Sequence, residues 1–270
     1  MPNGVDTTEG KSTVPSETPQ LNTRKGSGWG PIPAILWTVF LYIAPQVAAV
    51  SILVSILAGM GWSPERVTDW LQGVVSAQFY YVLLAELLTL GGIYWLLRVR
   101  GQKMANLGLV RLRAGDAWSA IKWFAAYMVI YIAVVSFLDA LIPSLNVEQE
   151  QQIGFETARS STDLLLVFAS LVILPPLAEE IVFRGYLFSS LRSKLRFTYA
   201  TLVTSVLFGV AHLQFGSGEP LLWIAAIDTA VLSVVLCYVR ETTGSLWPPI
   251  FIHAMKNMVA FVYLFIFQIT

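Results

Sequence analysis

The sequence predicts an all-α protein: a polytopic transmembrane helix bundle of seven to eight helices. Three observations predict it. Hydrophobic residues make up 56% of the 270 positions and charged residues only 13%, about half the charged share of a soluble domain, and the mean hydropathy is +0.65. Apolar runs long enough to cross a hydrocarbon core of about 30 Å, at about 20 residues per crossing, recur along the chain. Finally, two adjacent acids and an arginine sit inside one such run, Leu174-Pro-Pro-Leu-Ala-Glu-Glu-Ile-Val-Phe-Arg-Gly185, where each charge costs about 2.5–3.5 kcal/mol if left unpaired. The formal net charge is zero, so nothing in the composition favours a nucleic-acid partner. The expected surroundings are a lipid bilayer. The sequence specifies no oligomeric state.

Residues 1–30 are rich in Thr, Ser, Pro and Gly and bury too little apolar surface to offset chain entropy, which predicts a disordered polar tail. The first apolar run, about Ala34 to Ala58, is too long for the core of a secretory signal and is expected to be retained. A polar link with Trp62, Pro64 and Arg66 leads to an interfacial helix ending near Gln72, anchored by Trp62 and Trp70. The second span runs from about Val74 to Leu97. Arg98, Arg100, Lys103, Arg111 and Arg113 then form the most basic loop of the chain, which the positive-inside rule puts in the cytoplasm. A third span, about Ala117 to Ile142, leads to an acidic external loop with Glu148, Glu150 and Glu156 against Arg159. Residues 31–161 are thus N-terminal transmembrane helices with a basic cytoplasmic loop, and residues 162–270 form a second transmembrane region.

That second part opens with some thirty apolar residues interrupted by Pro175-Pro176. A proline pair removes amide donors and crowds the preceding turn, so Glu179 and Glu180 are expected in the first turn of a restarted helix, where the dipole favours anions. Further spans follow at about Thr198–His212, Leu221–Val239 and Trp247–Phe267. A plain count of crossings puts His212 near the outer end of its helix and His253 near the inner end. A shared site then requires 162–191 to split in two, or tilt and a broken helix to level them.

Glu180 and Arg184 are four apart with the acid on the N-terminal side, the favourable order for a helical ion pair. A structural salt bridge is the plain reading. Glu179 lies about 100° round the helix with no cation within a turn, freer to act as a base; alternatively it is a carboxylate at a wet helix start. The chain has two histidines. Each alone reads as a packing residue, yet both fall in apolar helices: His212 after Phe208, and His253 four residues before Asn257, on one face of its helix. Lys256 lies near that face or snorkels to an interface. Hydrolysis of a peptide bond needs a base for water and donors for an oxyanion, and a Glu, two His and an Asn supply both. No metal or other cofactor is expected. The alternative is zinc held by Glu179, His212 and His253, although no His-Glu-x-x-His helix supports it. Glu86, Asp139 and Asp228 are buried polar candidates without an assigned role, and Gly91-Gly92 reads as a helix-contact surface. The single Cys237 reads as a small buried hydrophobe.

Glu179-Glu180-x-x-x-Arg184, Phe208-x-x-x-His212 and His253-x-x-x-Asn257, in this order on apolar helices, resemble the CAAX protease and bacteriocin-processing family. That family includes the eukaryotic CAAX prenyl proteases and the bacterial abortive-infection proteins. The resemblance covers about residues 162–270. It implies a helical intramembrane endopeptidase, with Glu179 and His212 activating water, His253 and Asn257 stabilising the oxyanion, Glu180 and Arg184 orienting the motif helix, and Phe208 packing beside the site. Two rivals stay open. One is a non-enzymatic membrane partner such as a bacteriocin self-immunity factor or scaffold. The other is a transporter relaying protons through Glu179, Arg184 and His212, which the lack of an internal repeat disfavours. A bacterial plasma membrane is the expected location.

Overall fold

The computed structural model describes residues 29–147, 149, 153–213 and 221–267. Nearly all of the expected polar tail, together with Glu148 and Glu150, lies outside them. The described residues form eight helices and no strand: α1 (Pro31–Gly59), α2 (Pro64–Gly73), α3 (Val75–Val99), α4 (Ala114–Leu141), α5 (Ser161–Arg192), α6 (Phe197–Ala211), α7 (Trp223–Thr243) and α8 (Trp247–Ile266). Six of them, all but α2 and α6, are long and apolar enough to cross a membrane. The protein is a multi-pass integral membrane protein.

The elements follow from local chemistry. In α2, Pro64 sits in the first turn and the Ser63 side chain accepts from the Arg66 amide at 3.3 Å, which satisfies one orphan donor of the helix start. Trp62 packs edge-on against Trp70 at 6.0 Å, and the Arg66 guanidinium lies over Trp62 at 3.9 Å. This short polar helix with its tryptophan pair matches the expected interfacial element. On α1 and α4, by contrast, Ile32, Phe40, Val47, Trp118, Val129 and Phe137 point outward. Such exposed apolar rows are ordinary where lipid is the solvent.

The basic segments gather at one end of the bundle. Arg100 at the end of α3 covers Trp29 just before α1, at 4.0 Å. The Arg240 guanidinium of α7 donates to the Leu107 carbonyl at 2.9 Å, the Leu246 amide donates to the Gly108 carbonyl, and Arg192 holds Glu241 at 2.7 Å. Gly108 has φ +96°, and a Cβ there would meet Arg240 Nη2 at 2.6 Å, so the turn that receives Arg240 requires glycine. The expected cytoplasmic loop is therefore packed against α5 and the α7–α8 turn.

The core centres on α5, whose residues Ile181–Phe188 are all buried. Leu41, Ile93, Leu107, Phe208 and Leu246 close on it from α1, α3, the loop, α6 and the turn before α8. The expected break at Pro175-Pro176 does not occur. α5 runs through as one element, with π-helical stretches at Ala169–Ile173 and Ile181–Phe188 and the prolines in the first turn of the α-helical piece between them. The widened turn ahead of the prolines accommodates rings that would crowd a regular one. Glu179 and Glu180 consequently sit inside a continuous helix, and not at an exposed helix start as expected.

The conflict over depth is resolved by α6. Its 15 residues rise only about 22 Å, short of the roughly 30 Å core, so His212, the C-cap just after its last residue Ala211, stops partway. Gly209 lets α6 approach α7: a Cβ there would stand 2.7 Å from the Ala226 carbonyl oxygen and 3.1 Å from Ala230 Cβ. Gly209→Ala is therefore expected to destabilise the bundle by about 1–3 kcal/mol, read as a lowered unfolding midpoint in detergent. Of the glycine pair on α3, a Cβ on Gly92 would stand 2.7 Å from Leu41 Cδ2 of α1 while one on Gly91 would meet nothing within 4 Å, so one of the two makes the helix contact.

Candidate active site

α5, α6 and α8 bring three of the four expected chemical side chains to one point. Glu179 Oε2 stands 4.0 Å from His212 Nε2 and 4.0 Å from His253 Nε2. That oxygen is buried and has no hydrogen-bond partner among the described residues. The separation is too long for a direct hydrogen bond and suits one small molecule touching all three groups.

The hydrogen-bonding of the rings fixes what each presents. His212 Nδ1 lies 2.8 Å from the Phe208 carbonyl; a carbonyl only accepts, so Nδ1 carries hydrogen and the neutral ring turns the Nε2 lone pair towards Glu179. His253 Nδ1 lies 2.9 Å from Glu180 Oε1, again as donor. Its Nε2 is an acceptor in the neutral ring and a donor in the imidazolium.

Glu180 is the hub of this support. The same Oε1 accepts from Arg184 Nη1 at 2.7 Å, and both side chains are fully buried. The Arg184 guanidinium stacks on Phe208 at 4.1 Å, and the Phe208 ring meets His212 edge-on at 4.8 Å and His253 at 5.8 Å. Phe208 thus packs against Arg184 and both imidazoles at once. A salt bridge between Glu180 and Arg184 was legible in their spacing; its use as the anchor of His253 was not.

Asn257 stands apart. Its Nδ2 donates to the Leu171 carbonyl at 2.8 Å, in the first π-helical stretch, where the altered ladder frees carbonyls. This ties α8 to α5 and leaves one amide hydrogen for other use. Lys256 pairs with Asp228 at 3.1 Å, and Asp228 also accepts from the Tyr127 hydroxyl, so these polar groups bridge α4, α7 and α8. Cys237 is fully buried. α1 and α3 also reach the site: the Tyr42 hydroxyl donates to the Ala211 carbonyl at 3.1 Å, and Glu86 lines a cavity with Glu179. Tyr42 carries no sequence signal, being one more aromatic in an apolar helix.

The three donors do not match a tetrahedral zinc set. Ligands about 2.0–2.1 Å from such an ion stand roughly 3.3 Å from one another, whereas Glu179 Oε2 is 4.0 Å from each histidine Nε2. Among the described residues no group of three His, Cys, Asp or Glu meets metal-ligand spacing.

Residues 161–259 match the family model described as type II CAAX prenyl endopeptidase Rce1-like. The match spans the three motifs and bears out the resemblance read from them. A protein of Bacillus subtilis (strain 168) named "Putative membrane peptidase YdiL" is 25% identical over 228 residues, 82% of this chain and 85% of the relative. An "Uncharacterized 24.3 kDa protein" of Escherichia coli is 32% identical over 97 residues, 35% of this chain and 42% of the relative. No solved structure matches the chain.

Proposed function

From a chain whose residues 161–259 are Rce1-like, we propose that the protein is an intramembrane endopeptidase of a bacterial plasma membrane, cleaving a membrane-associated protein or peptide. One observation carries the reading: a buried, unpartnered Glu179 oxygen at 4.0 Å from the Nε2 atoms of two histidines on other helices. A water held between them donates one hydrogen to the Glu179 carboxylate and the other to the lone pair of His212 Nε2. Glu179 takes the proton as the water oxygen attacks the scissile carbonyl carbon, whose C=O becomes a tetrahedral oxyanion.

His253 stabilises that oxyanion from Nε2 when its ring carries both protons, with the Nδ1 hydrogen held by Glu180. Without the second proton, the 2.9 Å bond to Glu180 would leave Nε2 a lone pair and no donor. Asn257 supports the site by tying α8 to α5 through the Leu171 carbonyl. When the intermediate collapses, the C–N bond breaks and the leaving amine takes the proton from Glu179, which restores the carboxylate. Phe208, Glu180 and Arg184 act through the histidines by holding their rings.

The test is cleavage of a quenched fluorescent peptide library by the purified protein in nanodiscs, with and without a strong chelator. Cleavage that survives the chelator is expected. Loss restored by added zinc would assign Glu179, His212 and His253 to a metal. Absence of cleavage in every condition would favour a non-enzymatic membrane partner.

A further inference from the structure

The proposed chemistry leaves unused a carboxylate that shares a cavity with Glu179. Glu86 of α3 lies outside the Rce1-like segment and, with Glu179, lines a cavity of about 360 Å³ between α1, α3, α5 and the turn at Phe155. Ligand sites begin at about this volume. Leu41, Val82, Leu171 and Phe183 make its apolar wall, and its described lining contains two carboxylates and no Lys, Arg or His.

The neighbouring polar groups are engaged elsewhere. Tyr42 donates to the Ala211 carbonyl, the Gln46 amide donates to the Tyr42 carbonyl at 2.8 Å, and Tyr81 reaches Gln46 Oε1 at 3.4 Å. The nearby cations are taken too, Arg184 by Glu180 and Lys256 by Asp228. Glu86 therefore has no ion-pair partner among the described residues. An ionisable group at membrane depth calls for one.

We propose that this cavity is a side-chain subsite for a lysine or arginine of the substrate close to the scissile bond, with Glu86 as its counter-ion. The long aliphatic stem of either residue lies along Leu41, Val82 and Phe183 while the cationic head meets Glu86. Glu179 on the same cavity wall places the reacting carbonyl beside the subsite. This selectivity rests on the protease reading above.

The experiment measures binding separately from cleavage. Short Leu/Ala peptides carrying a single Lys at successive positions, each paired with its norleucine isostere, are titrated against Glu179→Gln protein in nanodiscs, then against Glu179→Gln/Glu86→Gln. At one position Lys is expected to bind about tenfold more tightly than norleucine, between the effect of an exposed and a buried charge pair, and Glu86→Gln is expected to erase the difference. Equal affinities, a preference that persists in the double variant, or no binding of either peptide would overturn the subsite. A matching thermal unfolding midpoint shows that the near-isosteric Glu86→Gln chain is folded. Failure of the protease reading shows differently: the wild type would bind the Lys peptide and leave it uncut.

Discussion

Glu179→Gln is expected to lower peptide cleavage by about 10²–10⁴-fold, the usual contribution of a positioned general base, and to leave the bundle folded. The expectation of a folded variant follows from the geometry. Glu179 Oε2 has no hydrogen-bond partner among the described residues, and the buried ion pair is made by the neighbouring Glu180. A glutamine of the same shape disturbs no contact that holds α5 to its neighbours. His212→Ala is expected to fall in the same range, because both side chains act on one water. The double variant should then lose little more than the worse single, as residues working as a unit do. Rates on one fluorescent peptide, beside unfolding midpoints for each variant, make the measurement. A Glu179→Gln protein with an unchanged rate would remove Glu179 from the chemistry, and losses that multiply in the double variant would separate the two residues into independent roles.

Arg184→Ala is expected to have the largest effect on stability, about 3–5 kcal/mol, because it strands a buried carboxylate. Both members of the Glu180–Arg184 pair are fully buried, and the guanidinium also fills the face of Phe208 at 4.1 Å. Arg184→Lys should recover only part of the loss, since an ammonium neither stacks as a plane nor reproduces the guanidinium fork. The pair replaced together, Glu180→Leu with Arg184→Met, should return much of the stability, as apolar replacements of buried pairs do. It should not return activity, because His253 Nδ1 loses the carboxylate 2.9 Å away that orients its ring. Unfolding in detergent, read beside the cleavage rate, separates the two roles. A stable but inactive double variant identifies Glu180 as a positioning residue, and full activity in that variant would sink the assignment.

Several features were determined by the sequence alone, for a common reason: they depend on neighbours in the chain. Hydropathy over about twenty residues located α1, α3, α4, α7 and α8 to within a few positions. The i,i+4 spacing of Glu180 and Arg184 gave their pair, because helix geometry stacks such residues whatever surrounds them. The motif order pointed to the segment that the Rce1-like match covers. Other features only the tertiary structure decided. α5 continues through Pro175-Pro176 because its turns widen, an adjustment invisible to rules for regular helices. The convergence of Glu179, His212 and His253 depends on α6 ending early and on Gly209 letting it close on α7. His253 bonding Glu180, Asn257 bonding Leu171 and Glu86 facing the Glu179 cavity are likewise contacts between helices. Association of helices in lipid is directed by shape and close approach, without a hydrophobic force to pick out buried faces. The amphipathic period that marks a buried face in a soluble helix is correspondingly weak here, and which faces meet is set by the packed bundle.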